Sequence, residues 1–284
     1  MQEAPRHRFV HRFRADRDRP VEDFDAEPQR HLAVVYSDRV LTHLGPDDAA
    51  LDSTNSQPSY VLWLLHRLGL DPGHRVLEIG SGSGWLAAVM GRLVGEGSVV
   101  GVEILGELAR RSRADLAALG IRNVDIVEGD GAAGHAAGTP YDRAMITAAV
   151  WDLPAALFDQ VAEGGRLLLP IALAGGAGRD CHVSVLRREG DRFRALEAVP
   201  GRFVRFTGRS GDRSAGGSMH CRSGRRSTRS RRCTGRSRSV SAIRPVSAAR
   251  PMPSACSSAR PSPASRCSTT GRRRPRSCRS RPSA

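Results

Sequence analysis

"VLEIGSGSGWLAA", residues 76–88, opens as an apolar run of strand length, breaks into glycines at every second position and resumes with helix-forming residues. A strand, a glycine-rich turn and a helix in that order make a ligand-binding βα unit. The dinucleotide fingerprint G-x-G-x-x-G would put its third glycine at position 85, but Trp85 stands there and the glycines are Gly80, Gly82 and Gly84. The loop therefore suits a nucleotide-like ligand other than NAD.

Working outward, the pattern repeats. "SYVLWLLHRLGL" (59–70) has apolar positions at helical spacing, "RVLEIG" (75–80) reads as a buried strand and "WLAAVMGRLV" (85–94) as a helix. "SVVGVEI" (98–104) is a second strand, "LGELARRSRADLAALG" (105–120) a helix ended by Gly120, and "VDIVEGD" (124–130) and "RAMITAAV" (143–150) are further strands. "PAALFDQVAEGG" (154–165) reads as a helix before the strand "RLLLPIAL" (166–173). Short apolar strands separated by helices predict an α/β fold, a doubly wound and mostly parallel sheet covered on both faces. "CHVSVLRREGDRFRALEAV" alternates with period two around Arg188–Asp191 and predicts an antiparallel hairpin closing that sheet.

In such a sheet the ligand lies beyond the carboxyl ends of the strands, where this sequence places its unusual residues. Gly80, Ser81, Gly82 and Gly84 follow the first strand of the unit, and a missing Cβ lets a ligand approach the backbone. Glu103 ends the next strand, where a carboxylate can accept both hydroxyls of a ribose, although a solvated strand end looks the same. Asp130 follows the third; it can accept from an adenine amino group or form an Asx turn before Gly131. Together the three strand ends describe one nucleoside site.

Composition divides the chain near residue 212. The formal charge of +15 comes from 44 basic residues, all of them arginine. Up to Asp212 there are 25 arginines against 29 acidic residues; from Arg213 onward there are 19 and none. The later stretch has no leucine and no aromatic residue, so it cannot bury enough apolar area to offset the entropy of ordering. Residues 208–284 are expected to form a disordered Arg/Ser/Pro-rich tail. Two origins for it stay open: a segment that binds RNA or another polyanion, or the out-of-frame reading of a GC-rich gene. Five of the six cysteines lie there, without the spacing of a zinc site, so no metal is expected. With Cys181 alone in the body, no apolar leader and no run of membrane-spanning length, the reading is a cytoplasmic protein.

The segments "VLEIGSGSGW", "VVGVE", "VDIVEGDG", "YDRAMITAA" and "GGRLLLPI" resemble the S-adenosylmethionine-dependent methyltransferases, and among them the protein-L-isoaspartate O-methyltransferase family. "APRHRFV" (4–10), "YSDRVL" (36–41) and "STNSQPSYV" (53–61) extend the resemblance upstream, so that it covers roughly residues 4–207. It implies a Rossmann-like methyltransferase domain at 59–207 behind a family-specific segment at 1–58. It also implies S-adenosylmethionine as cofactor, held by Ser56, the Gly80–Gly84 loop, Glu103, Asp130, Gly131 and Thr207, with Ser56 as the catalytic residue. Ser56 stands two residues before Pro58, which is also how a helix N-cap looks. Asn55, Trp85 and Arg205 depart from the family's usual aliphatic, tyrosine and proline residues.

The implied substrate is an isoaspartyl residue in a protein or peptide. A dedicated peptide methylated on aspartate, such as a ribosomally made natural product, is the alternative; a nucleic-acid-binding protein acting through the tail is a third. No NPPY-like tetrad follows the fourth strand of the parallel set, which speaks against base methylation. Truncation after Gly211 is expected to leave cofactor affinity unchanged and to remove most salt-dependent RNA or DNA binding, measured by calorimetry and by filter binding at two salt concentrations. Loss of cofactor binding on truncation would show that the body extends past this boundary.

Overall fold

The computed structural model describes residues 3–16, 18–45, 47–172 and 180–207. The tail expected at 208–284 lies outside them. A 3-10 turn at Arg6–Phe9 leads into β1 (Arg12–Arg14), β2 (Glu22–Asp23), helix α1 (Pro28–Val35), β3 (Leu41–Leu44) and β4 (Ala50–Asn55). The four strands pair antiparallel in the order β2-β1-β3-β4. Phe13 and Leu41 of these strands, Phe24 after β2 and Val35 of α1 form a cluster of their own, whereas Ala4 and Phe9 join the main core.

Helix α2 (Pro58–Leu68) buries the stripe Val61, Leu64, Leu65 and Leu68 and stops at Gly69, whose φ of +66° ends it in the left-handed region. Then come β5 (Arg75–Ile79), α3 (Trp85–Val94), β6 (Ser98–Glu103), α4 (Gly106–Ala118), β7 (Val124–Glu128) and β8 (Tyr141–Ile146). A single helical turn, α5 (Leu157–Gln160), precedes β9 (Val161–Ala172), β10 (Asp180–Glu189) and β11 (Arg192–Arg202). The seven strands lie in the order β11-β10-β9-β8-β5-β6-β7. Strands β5 to β9 pair parallel, and β10 and β11 add the expected antiparallel hairpin, turning at Gly190–Asp191.

Alternation along the central strands divides the core into two layers. Val76, Met145 and Leu168 pack with residues of α2, α3 and α4 on one face. Leu77, Ile79, Ile146, Leu167 and Leu169 pack on the other with Leu157, Phe158, Phe193 and Phe206. The inner parallel strands are thus covered on both sides, which is why they read as apolar runs, whereas the edge strand β7 exposes Asp125 and Glu128.

Two elements differ from the sequence expectation. The helix expected at 154–165 is only the turn Leu157–Gln160, because Val161 already pairs with Tyr141 and the ladder carries an irregularity before Arg143 meets Arg166. Gly164, at φ +73°, and Gly165 fall in that irregularity, and a glycine pair does not hold a helix. The strand expected at 143–150 ends at Ile146, and Thr147 and Ala148 leave the ladder.

Among the described residues no helix is long and apolar enough to cross a membrane, and no three His, Cys, Asp or Glu side chains gather as a metal site would require. Strand order reverses at β5, with β6 and β7 on one side and β8 and β9 on the other. The carboxyl ends of β5 and β8 therefore bound a crevice, the place where open parallel sheets bind ligands.

Candidate active site

The turn after β5 is held by glycine and by backbone hydrogen bonds. Gly80, Gly82 and Gly84 have φ of +87°, +56° and +80°, a region that strains any other residue. At Gly80 an added Cβ would also lie 2.8 Å from Thr147 Oγ1. The Gly80 and Ser81 amides donate to the Val102 carbonyl at 2.8 and 3.2 Å, tying the loop to β6. The Gly82 amide donates to Glu103 Oε2 at 2.6 Å, and the Gly82 carbonyl accepts from Ser112 Oγ at 3.0 Å. Thr147 closes the crevice from β8, its hydroxyl 2.5 Å from the Gly80 carbonyl.

Two carboxylates are sunk into this wall. Glu103 is 5 % exposed, and its Oε1 accepts from the Leu105 amide at 2.9 Å. Burial raises its pKa, opposed by the amides of Leu105, Gly82 and Ile104. Glu78, within β5, is 1 % exposed; its burial first, and then the charge of Glu103, push its pKa up to about 8. Glu78 is therefore largely protonated at neutral pH while the amide-bonded Glu103 carries the charge of the pair.

Loop and carboxylates line one cavity of about 710 Å³, within the range of small-ligand sites. Residues 52–57, 201–207 and 102–105 supply further walls, with Gly131, Thr147 and Ala148. Of the residues singled out from the sequence, Ser56, Gly80, Ser81, Gly82, Glu103, Gly131 and Thr207 line it. Gly84 and Asp130 sit beside the lining. Gly84 is the N-cap of α3, and Asp130 Oδ1 accepts the Ala132 amide at 2.9 Å, the Asx turn that the sequence allowed. Gly131 lines the cavity, but a Cβ there would lie 2.1 Å from Ile79 Cγ2, so packing alone requires glycine.

Ser56 is not a helix cap. The N-cap of α2 is Gln57, which leaves the Ser56 side chain on the cavity wall. Trp85, one of the three departures, is 2 % exposed and donates its indole N–H to the Ala4 carbonyl at 3.1 Å. Arg205, another, is exposed on the lining together with Arg202.

Sequence reading missed Glu78, although a carboxylate within an apolar parallel strand was itself the signal. Glu78 Oε2 and Ser81 Oγ are buried without a hydrogen-bond partner among the described residues. Buried polar atoms are nearly always bonded, so a polar ligand in this cavity would complete them. A concave, glycine-floored site with one buried negative charge suits a nucleoside that carries positive charge.

The model of the protein-L-isoaspartate(D-aspartate) O-methyltransferase family matches residues 17–211. A protein-L-isoaspartate O-methyltransferase from Methanoregula boonei is 41 % identical over 187 residues, 66 % of this chain and 83 % of that protein. One from Anaeromyxobacter dehalogenans is 42 % identical over 200 residues, 67 % of this chain and 90 % of the relative. A solved structure of a protein-L-isoaspartate O-methyltransferase is similar at 34 % identity and a TM-score of 0.61, over 73 % of this chain and 59 % of that one. A beta-aspartate methyltransferase structure from Plasmodium falciparum, in complex with S-adenosyl-L-homocysteine, shares the fold at 19 % identity and a TM-score of 0.51, over 72 % of this chain and 87 % of that one.

The buried pair makes stability depend on pH with a definite sign. Glu78 has a folded pKa raised from 4.5 to about 8, so its contribution is complete below 4.5 and is lost as pH rises towards 8. Glu78→Gln, which stays neutral, is expected to gain stability relative to the unsubstituted protein as pH rises through that window, measured by denaturant midpoints. A stability difference that does not change with pH would contradict the assignment.

Proposed function

The chain belongs to the protein-L-isoaspartate(D-aspartate) O-methyltransferase family, and on that premise we propose that it transfers a methyl group from S-adenosylmethionine to the carboxylate of isoaspartyl residues in proteins or peptides, a repair reaction. When bound, the cofactor supplies an electrophilic methyl group on a positively charged sulfur.

The observation that carries this reading is that one cavity joins the Gly80–Gly82 loop, Glu103 and Ser56. The loop offers backbone without side chains, against which the cofactor can lie closely. Glu103 accepts backbone amides at both carboxylate oxygens, and the lone pairs left over can take the ribose hydroxyls. Ser81 and the protonated Glu78 bring hydroxyl donors to the same wall. Gly84 holds the loop from the start of α3, Asp130 and Gly131 shape the wall on the base side, and Thr207 closes the cavity from the hairpin strand's continuation.

Ser56 faces the methyl acceptor in this reading. An isoaspartyl carboxylate is already ionised at neutral pH, so its attack needs no general base. The residues act by alignment and exclusion of water, and a well-oriented pair can lower a barrier by roughly 7–11 kcal/mol. Exposed Arg202 and Arg205 on the lining add positive charge that favours an anionic acceptor. A body that carries Cys181 as its single cysteine up to residue 207 accords with a reducing cytoplasm as the enzyme's location.

Methyl transfer from labelled S-adenosylmethionine is the test. The full chain is expected to label an isoaspartyl peptide in preference to the same peptide with normal aspartate, because the displaced α-carboxylate differs in geometry and not in charge. Ser56→Ala is expected to lower kcat while cofactor affinity stays within about threefold, the sign of an interaction made with the acceptor. Labelling of a particular aspartyl peptide with no labelling of isoaspartyl peptides would transfer the assignment to a dedicated-peptide enzyme.

A further inference from the structure

Arg6 is the most deeply buried charged side chain of the N-terminal segment, 2 % exposed within the turn Arg6–Phe9. Its guanidinium meets six acceptors. Nε donates to Asn55 Oδ1 at 2.6 Å, and Nη1 to the carbonyls of Val35 at 2.7 Å and Ser37 at 3.1 Å. Nη2 is shared among the carbonyls of Arg39 at 2.9 Å, Asn55 at 3.0 Å and Ser56 at 2.9 Å. No carboxylate is among them. Burial lowers its pKa to about 10, which leaves it a cation at neutral pH, and its guanidinium carbon lies 5.3 Å from the Trp85 ring centre.

The contacts run on into the site. Asn55 accepts from Arg6 through Oδ1 and donates through Nδ2 to Ser83 Oγ at 3.2 Å, within the glycine loop. One guanidinium thereby grips the carbonyl of Ser56 and both ends of Asn55, while Asn55 reaches the loop after β5. Trp85, which follows that loop, is held to Ala4 two residues before Arg6. Asn55 and Trp85, two of the departures from the family's usual residues, thus meet at Arg6. Burying a guanidinium costs several kcal/mol, which the charge of Asp38 offsets in part, and only a planar fork of five donors can satisfy so many carbonyls from one point.

We infer that Arg6 is a positioning residue for methyl transfer, fixing Ser56 at a set distance from the glycine loop so that acceptor and cofactor are aligned. The inference rests on the reading that Ser56 faces the acceptor. Arg6 touches neither reactant and acts through the backbone of Asn55–Ser56.

The test is a double-mutant cycle on the full chain with Arg6→Lys, Ser56→Ala and the pair, using labelled methyl transfer to an isoaspartyl peptide. Lysine keeps the charge and loses the fork. Arg6→Lys is expected to lower kcat by about 10- to 100-fold, the scale of a misplacement near 1 Å, while S-adenosylhomocysteine affinity by calorimetry stays within about threefold. In the Ser56→Ala background the same change is expected to lower kcat by less than about threefold, because the two residues act as one unit. Independent, multiplicative losses would overturn the inference while leaving the role of Ser56 intact; an unchanged kcat in Ser56→Ala alone would overturn both. Should Arg6→Lys lose its near-ultraviolet circular dichroism, Asn55→Leu carries the same cycle, since it removes the side-chain link and keeps the carbonyl. Non-additivity with Ser56→Ala is again the expected result, and additivity the contrary one.

Discussion

The hydrogen bond from the Gly82 amide to the buried Glu103 carboxylate, 2.6 Å long, is the constraint on which the site depends. It joins the turn after β5 to the end of β6, and a carboxylate so deeply buried is tolerable only when amides satisfy it. Gly82 must therefore present its N–H inward, which it does at a φ of +56°. The remainder of the turn follows, with Gly80 against Thr147 and Gly84 at the start of α3. A sheet whose order reverses at β5 supplies the crevice, and this hydrogen bond gives the crevice its negative wall.

Charge is arranged by depth. Glu78 and Glu103 lie in the buried wall, whereas Arg202 and Arg205 are exposed on the lining. The raised pKa of Glu78 keeps the wall near one negative charge at neutral pH and makes the second carboxyl a donor. In the proposed reaction a cationic cofactor and an anionic acceptor would thus meet complementary regions of one cavity. Arg6 belongs to neither region. Its charge is held by carbonyls and by the Trp85 ring, and it connects the N-terminal segment to Asn55 and Ser56 on the lining and to the start of α3.

The unit from β5 to β7 was legible because apolar strands, glycine breaks and amphipathic helices have different periods, and each is long enough to register. The hairpin was legible for the same reason, its alternation turning at Arg188–Asp191, although the register also shifts between Val185 and Leu186. The N-terminal sheet was not: β1 is three residues reading Arg-Phe-Arg and β2 is two acidic residues, too short for any period. The expected helix at 154–165 was misread because "PAALFDQVA" keeps helical spacing, while parallel pairing with Tyr141 claims the chain from Val161. Of the residues chosen from strand ends and the glycine loop, Glu103 lines the cavity, whereas Asp130 and Gly84 sit beside it. Arg6 lies in the segment "APRHRFV", but nothing local sets it apart from the other arginines of the body, 25 in all, and only folding brings it to Asn55 and Ser56.

Whether Glu103 and the glycine loop hold the nucleoside of S-adenosylmethionine is decided by a crystal structure of the full chain with S-adenosylhomocysteine. The ligand is expected in the cavity between β5 and β8, with its ribose hydroxyls within hydrogen-bonding distance of Glu103 and its backbone contacts on Gly80–Gly82. Density for the ligand elsewhere, or a ribose out of reach of Glu103, would contradict that assignment.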